Sequence, residues 1–463
     1  MTRPRVLIAG ALALLAACGE AERRPAGLPL AMHEPPPSSL LRLPTQGGTV
    51  RVYRTSDLSE LPWRSEKVPK VREGIGADLD ALTLYATDTS RTLLAVDLRS
   101  KRVRSLQKGV RASGLGADGA LFVIDSAGRV SQLGRRRTVL FEDKIPGAPG
   151  QIAGALNGRL LVLPGPNRPD LLVMSAAGPA SSIPLAAGPA ATTTYGDLVA
   201  VATDENVLLV DPAGSGKPSA LKVSGSVKDI AFSPSGHRLY VARDDDALYI
   251  YDRYSHDRLG SVKLPGPARQ LRSDLYGAWL LVRPAQGDSI WVVDVVAGKH
   301  VATVASRWSA DLPAIAPPAT LLLRRGKDVV GLDLTEAKLP EAGRVKDGAA
   351  DLWLPVAWTP EKENRPTEVA RDSIAADSAL AASDSTAPRI YLQVSSSRNP
   401  AWANELAERV AAAGLAAKVL PPNQGEDAYR VVLGPYPNRE AAEAASRSLN
   451  MPSFILSESG TTP

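Results

Sequence analysis

The sequence predicts two folded domains, an all-β propeller followed by a small α+β domain. Three observations support this order. Short apolar runs broken by Gly, Pro, Asp and Ser recur through residues 49–358. Residues 359–388 are rich in Ala, Ser and Asp and have almost no large apolar side chain. Residues 389–458 then change between alternating and helical hydrophobic patterns, which is typical of a compact domain of strands and helices.

The chain begins with basic residues and the short apolar run Val6–Leu15, which is shorter than a membrane-spanning helix requires. The segment that ends at Cys18 resembles a bacterial lipobox. The resemblance implies removal of residues 1–17 and lipidation of Cys18; an ordinary secretory signal with a coincidental cysteine is the alternative. No other cysteine is present, so the chain cannot form an internal disulfide.

The residues after Cys18 predict where this anchor lies. Buried acyl chains contribute roughly 0.8 kcal/mol per CH₂, so a multiply acylated end stays in the membrane. Gly19 follows the cysteine, and no Asp is there to indicate retention in the inner membrane. In a bacterium with two membranes we therefore expect an outer-membrane anchor that faces the periplasm. Residues 18–48, rich in Pro, Ala and charge, are predicted to form a stiff tether.

The repeats in residues 49–358 predict a propeller of seven blades, although irregular second and third repeats leave this count open by one. Each repeat has two strand-like runs, and the second runs end at Asp97, Ser131, Ser175, Asp211, Asp252, Asp294 and Asp333. The mean spacing of about 39 residues is in the range of a four-stranded propeller blade. The opening strand Gly47–Thr55 is predicted to complete the last blade beside Asp351–Trp358, which leaves no exposed sheet edge.

The best-preserved repeat, Ala231–Gly266, resembles blades of YVTN-type or lactonase-like β-propellers. This resemblance implies a fold, and a fold alone does not supply an activity. Gly114–Gly119 fits a phosphate-binding pattern but is followed by a strand, and Pro218 occupies the hydroxyl position of a P-loop fragment. Asp244–Asp246 lacks the spacing of a calcium loop, and the four histidines are scattered. No metal and no cofactor are predicted.

Residues 359–388 cannot bury enough apolar surface to fold and are predicted to be a disordered linker that lets the last domain move independently. The formal net charge of +5 is assigned to the propeller, because the linker is acidic and the last domain is close to neutral. Nucleic acid is not an expected partner of an exported chain.

The last domain is predicted to have the element order βαββαβ, with both helices on one side of a sheet. Alternation in the strand that begins at Arg389 places Leu392 and Val394 on one face and Gln393 and Ser395 on the other. Its first and third strands are expected to be central and adjacent. The predicted helix caps are Asn399 and Asn438.

This domain resembles a SPOR domain, the sporulation-related repeat. The resemblance rests on the strand Tyr391–Ser396, the turn at Gly414, the strand Tyr429–Tyr436 and the Ala-rich second helix, which together span nearly a whole SPOR domain. It implies binding to peptidoglycan, in particular to glycan strands without stem peptides, through the open face of the sheet. The residues that match the family's glycan-binding positions are Gln393, Ser396 and Arg430.

Two departures from the family concern aromatic side chains. Ser395–Ser396–Ser397 stands where the family has Gly-Ser-aromatic, and Ala428 stands at a position that is sometimes aromatic. An aromatic ring is a good platform for a sugar, so binding is expected to be weaker unless another ring substitutes. Trp402 is a candidate for this role, with helix packing as its alternative role.

The leading interpretation is a non-enzymatic envelope protein with a role in cell division. The lipid holds the chain in the membrane, the SPOR-like domain binds denuded glycan strands, and the propeller presents a surface to an unidentified protein partner. The alternative is a propeller enzyme, a lactonase or a wall-active hydrolase, which the SPOR-like domain delivers to the wall.

Overall fold

The structure, a computed structural model, describes residues 27–32, 36–133, 138–141, 151–156, 158–165, 168–176, 178–214, 217–360, 389–397, 399–422 and 428–458. The predictions for Cys18, for the signal peptide and for nearly all of the linker lie outside the described residues. Within the described ranges, neither helix has the length and the apolar character needed to cross a membrane.

Thirty-two strands build the propeller in the part of the chain that the structure describes. In chain order they are β1 (Ser39–Leu43), β2 (Gly48–Arg54), β3 (Glu60–Val68), β4 (Val71–Asp78), β5 (Thr83–Asp88), β6 (Leu93–Asp97), β7 (Val103–Gln107), β8 (Val110–Leu115), β9 (Leu121–Asp125), β10 (Val130–Leu133), β11 (Thr138–Phe141), β12 (Ile152–Ala155), β13 (Arg159–Val162), β14 (Asp170–Ser175), β15 (Gly178–Pro184), β16 (Ala190–Thr192), β17 (Val199–Ala202), β18 (Asn206–Val210), β19 (Ser219–Lys222), β20 (Val227–Phe232), β21 (Arg238–Arg243), β22 (Ala247–Asp252), β23 (Arg258–Lys263), β24 (Ala268–Ser273), β25 (Trp279–Pro284), β26 (Ser289–Asp294), β27 (Lys299–Ala305), β28 (Ala314–Ala316), β29 (Thr320–Arg325), β30 (Asp328–Asp333), β31 (Glu341–Val345) and β32 (Leu352–Val356).

These strands form eight four-stranded antiparallel sheets within the described ranges. Blades 1 to 7 each use four consecutive strands, from β4–β7 in blade 1 to β28–β31 in blade 7. Blade 8 has the order β3-β2-β1-β32 and joins the two ends of the propeller. The seven sequence repeats correspond to blades 1 to 7, and blade 8 is the additional blade.

The closing strand pair differs from the prediction. Gly47–Thr55 does belong to the closing blade, as β2, but β1 lies between it and β32. Leu41 of β1 is directly opposite Leu354 of β32. β1 lies in the stretch that was predicted to be a tether. This strand was not predicted because it is short, follows a run of prolines and has four of its five residues buried. A strand buried on both faces does not show the alternation that identifies a half-exposed strand.

Each pair of neighbouring blades encloses one apolar cluster. Between blades 8 and 1, Leu41 and Trp63 pack with Leu84. Equivalent clusters join the other neighbours, and between blades 7 and 8 Leu40 packs with Leu322. Because apolar burial is the dominant stabilising term, contacts between blades hold the ring closed without disulfides.

The C-terminal domain has the predicted order βαββαβ. Its elements are β33 (Arg389–Ser397), α1 (Pro400–Ala412), β34 (Ala417–Leu420), β35 (Tyr429–Tyr436), α2 (Arg439–Leu449) and β36 (Phe454–Glu458). The sheet order β34-β35-β33-β36 makes the first and third strands central and adjacent, as predicted. Asn399 caps α1 by accepting hydrogen bonds from the Ala401 and Trp402 amides, and Asn438 caps α2 by accepting one from the Ala441 amide.

Candidate functional site

The pairing of β33 with β35 brings the three predicted glycan-binding residues to one face of the sheet. Gln393 is opposite Val432, and Ser396 is opposite Arg430. Cross-strand partners project from the same face. On the other face, Val431 and its neighbours pack against both helices.

A β-bulge makes this arrangement possible. Strict alternation places Gln393 and Ser396 on opposite faces, but the register shifts between Gln393 and Ser395. The extra residue in the bulge turns Ser395 towards Val431 and the helices, so the predicted outward position of Ser395 is wrong. The same shift returns Ser396 to the face that carries Gln393.

Aromatic side chains border the three residues, and they are additional possible sugar platforms that were not predicted from the sequence. Phe454 of β36 is directly opposite Gln393. Tyr391 lies two residues before Gln393, and the Lys418 ammonium donates a 2.9 Å hydrogen bond to its hydroxyl and lies 4.0 Å from its ring centroid. Trp402, the candidate from sequence, lies in the first turn of α1, in the layer on the opposite side of the sheet. The period of β36 could have indicated Phe454, but only its pairing with β33 shows which residues it borders.

The face that the resemblance implies to be open is covered. Gln393 is 1% exposed, Ser396 is 7% exposed and Arg430 is 8% exposed. Both helices of the domain lie on the other side of the sheet, so they do not cause this burial. Among the described residues, the Gln393 side-chain nitrogen Nε2 is buried without a hydrogen-bond partner.

The propeller supplies the cover. Tyr195, between β16 and β17, donates a hydrogen bond from its hydroxyl to the Val394 carbonyl. Its ring also meets the Phe454 ring edge-on, with 6.0 Å between centroids. At the end of β33, the Ser397 hydroxyl donates a 2.7 Å hydrogen bond to the Asp80 carboxylate, between β4 and β5. The predicted independent movement of the domain therefore does not describe this structure, in which the domain is docked.

A second set of contacts holds α2 to blade 5. The Arg447 guanidinium donates to both carboxylate oxygens of Asp252, at 2.6 and 3.1 Å. The Tyr254 and Ser446 hydroxyls are 2.8 Å apart. Burial raises the pKa of Asp252, but hydrogen bonds from Arg447 and from two backbone amides lower it further, and the net pKa is below the ordinary value. Asp252 is thus ionised at neutral pH and attracts Arg447.

The segment that precedes β1 also contacts the C-terminal domain. The Leu30 amide donates a 2.7 Å hydrogen bond to the Leu449 carbonyl, and the Asn450 side chain donates one of 2.7 Å to the Gly27 carbonyl. Gly27 has a φ of +84°, and a Cβ there would approach the Cβ of Ala278 in blade 6 to 2.6 Å. The segment thus lies against both domains.

The central channel of the propeller holds a cavity of about 640 Å³. Three of its five charged lining residues, Arg272, Asp274 and Asp311, are engaged in structural contacts. Asp311 forms a 2.7 Å ion pair with Arg324, and Arg272 donates to the carbonyls of Pro313 and Ser309. Burial raises the pKa of Asp274 to about 6, and backbone amides bind its carboxylate. These contacts position the loops at the ends of the inner strands.

The residues considered as metal ligands have other contacts. Asp245 is hydrogen-bonded to Arg243 and Tyr249. His237 is hydrogen-bonded to the Ser235 hydroxyl at 2.6 Å. Among the described residues, no group of three or more His, Cys, Asp or Glu side chains is arranged to hold a metal ion.

Comparisons with known proteins follow the division into two domains. Residues 386–456 match the SPOR domain family model. This part of the chain is therefore a SPOR domain, a binding domain that implies peptidoglycan binding and a place in the cell envelope. The resemblance seen in the sequence is confirmed. No curated protein matches the chain.

Solved structures resemble the propeller. Apo AztD from Citrobacter koseri aligns with a TM-score of 0.50 and 14% identity, covering 69% of this chain and 98% of AztD. Dihydro-heme d1 dehydrogenase NirN in complex with DHE aligns with a TM-score of 0.46 and 13% identity, covering 72% of this chain and 76% of NirN. At its identity, the AztD alignment supports the propeller fold alone.

Proposed function

We propose that the protein is a lipid-anchored envelope protein that binds denuded glycan strands through the SPOR face bearing Gln393, Ser396 and Arg430. The observation that supports this most is the register of β33 and β35, which gathers the three side chains on one face. Cys18 carries the anchor in the outer membrane, facing the periplasm, and the propeller serves as a scaffold. Enrichment at division septa follows from where denuded glycan is made.

The chemistry of this face suits a sugar chain rich in hydroxyl and amide groups. The Gln393 amide can both donate and accept hydrogen bonds, and the Arg430 guanidinium donates from a planar fork. Sugar hydroxyls and N-acetyl carbonyls are complementary to these groups. Tyr391 and Phe454 add aromatic surface for the apolar side of a sugar ring.

The alternative is an enzyme in the propeller channel. We do not propose a reaction there, because Asp311 and Arg272 are bound to other protein groups and the Asp274 carboxylate accepts hydrogen bonds from backbone amides.

The isolated segment 389–458 is expected to sediment with purified wall sacculi, and more strongly after an amidase has removed the stem peptides. The double variant Gln393→Ala/Arg430→Ala should lose binding, because each truncation removes a polar contact of about 1–3 kcal/mol. The matched control is Arg409→Ala, which removes an equal charge from the exposed side of α1.

A second control tests the fold of the segment. Leu392→Asp buries an unpaired charge between sheet and helices and should unfold the domain, whereas the double variant should keep its circular dichroism and melting curve. A folded double variant that still sediments contradicts the proposed face. Failure of the folded parent segment to sediment contradicts the proposed function.

A further inference from the structure

We propose that the chain has a closed state in which the propeller covers the glycan-binding face of its own SPOR domain, so that propeller and glycan compete for one surface. This proposal rests on the proposed function, because it takes Gln393, Ser396 and Arg430 as the glycan-binding residues. Their burial is the first observation that supports it.

The contacts come from one end of the propeller. In a blade of four antiparallel strands, the loops after the first and third strands emerge at the same end. Asp80 and Tyr195 lie in loops after first strands, and Tyr254 lies in a loop after a third strand. All three contact the SPOR domain.

These loops belong to blades on opposite sides of the ring. Asp80 is in blade 1 and Tyr254 is in blade 5, which are separated by four steps in a ring of eight blades. The SPOR domain therefore extends across this mouth of the channel, from Ser397 at the blade 1 side to Ser446 at the blade 5 side. Contacts at both sides and at Tyr195 between them define one docked orientation.

On the docked face, one buried hydrogen-bond donor lacks an acceptor among the described residues. Gln393 Nε2 has no acceptor within the described residues, and a buried donor without an acceptor is costly. Sugar hydroxyl and N-acetyl oxygens are acceptors that would satisfy it. A glycan strand thus offers a contact that the propeller does not, which allows it to displace the propeller.

Competition predicts weaker binding by the full chain than by an opened chain. If only a fraction of molecules is open, the apparent dissociation constant is the intrinsic one divided by that fraction. A chain that is closed in about nine molecules of ten therefore binds about tenfold more weakly than an open one. Opening has to break propeller contacts without altering the SPOR face.

The experiment uses the full chain with Cys18→Ala, so that it is not lipidated. Tyr195→Ala/Tyr254→Ala removes two propeller side chains that contact the SPOR domain, and this opened variant should sediment with amidase-treated sacculi about tenfold more strongly than its parent. A matched control is Tyr53→Ala, which removes a tyrosine from blade 8 at the interface with blade 7 and should not strengthen binding.

A variant that is crosslinked in the closed state tests whether the docked propeller excludes glycan from the same surface. Asp80→Cys/Ser397→Cys places thiols where two side-chain oxygens are 2.7 Å apart, within reach of a short reducible bis-thiosulfonate crosslinker. The crosslinked chain should lose glycan binding, and reduction should restore it to the level of the same variant before crosslinking.

The outcomes separate this proposal from the proposed function. Failure of the crosslink to form overturns the closed state, whether or not glycan binds. Equal glycan binding before and after crosslinking overturns the competition. If the isolated segment 389–458 and every full-chain variant fail to bind, the proposed function fails, and the crosslinking yield still decides whether the domain docks.

Discussion

His237 is a buried histidine whose surroundings keep it neutral. Burial is the main cause, and the neighbouring arginines Arg238, Arg253 and Arg447 add to it; together they lower the pKa of His237 to about 4, although Asp252 opposes the shift. Its ring nitrogen Nδ1 is 2.6 Å from the Ser235 hydroxyl. The folded state therefore binds a proton at this site only as the pH falls towards about 4.

The shift predicts a pH-dependent contribution to stability. Between the unfolded pKa of about 6.5 and the folded pKa of about 4 the unfolded chain binds more protons, so stability falls as pH falls. The contribution is complete above pH 6.5, and about 2 kcal/mol of it should be lost between pH 7.5 and 5.0. Urea unfolding of parent and His237→Gln at both pH values measures this loss, because Gln does not titrate.

The contribution of His237 is the difference between the losses of unfolding free energy measured for parent and variant. Burial raises the pKa of Asp229 and of Asp274 to about 6, and these groups change stability with the opposite sign. Both remain in the variant, so their effects cancel. An identical change in unfolding free energy for parent and variant would show that His237 does not titrate as inferred.

At the scale of single residues, the sequence predicted the local role of a residue better than the face of the sheet on which its side chain lies. The helix caps Asn399 and Asn438 were predicted correctly, because capping depends on a side chain and the amides beside it. The direction of Ser395 was wrong, because a bulge depends on the partner strand. The burial of Gln393 and Arg430 depends on a separate domain, and no local pattern in the sequence reports it.

At the scale of elements, β1 shows what sequence periodicity misses. Seven blades have repeats with a mean spacing of about 39 residues, so their second and third strands are visible in sequence. The eighth combines strands from the two ends of the propeller, so it does not form a continuous repeat. Closure itself was predicted, because an open blade would expose a sheet edge.

β1 is expected to contribute to ring closure through Leu41, which packs between blades 8 and 1 and has no exposed surface. Leu41→Ala should lower the free energy of unfolding of the propeller by about 2–5 kcal/mol, because the truncation leaves a cavity among buried neighbours. Leu106→Ala is the matched control, since Leu106 of β7 is 41% exposed. Equal denaturant midpoints for the two variants would show that β1 does not hold the ring closed.

At the scale of the whole molecule, docking links parts that are far apart in sequence. Both domains were predicted from the sequence, because each has its own hydrophobic pattern. The docking of one domain on the other was not predicted, since an interface between Asp252 and Arg447 leaves no pattern in either segment. The interface also includes residues of the described segment 27–32, which contact the SPOR domain at Leu449 and Asn450.

The docked state predicts that the two domains stay associated after the chain between them is cut. A specific protease site placed within residues 361–388 allows cleavage of the full chain with Cys18→Ala, and gel filtration then separates free from bound SPOR domain. We expect co-elution at neutral pH and micromolar concentration, because the contacts with Asp80, Tyr195 and Asp252 do not depend on the cut segment.

Arg447→Ala should shift the fragments towards separate elution, since it leaves the buried Asp252 carboxylate without its ionic partner. Arg439→Ala is the matched control on the same helix, because the exposed Arg439 pairs with Glu443 of that helix and not with the propeller in the described contacts. Because the pKa of Asp252 is lowered in the docked chain, the contribution of its ion pair to docking is fully present above the ordinary carboxyl pKa of about 4. Co-elution should be lost as the pH falls below that value. Separate elution of the parent fragments at neutral pH would show that the contacts are too weak to hold the domains together.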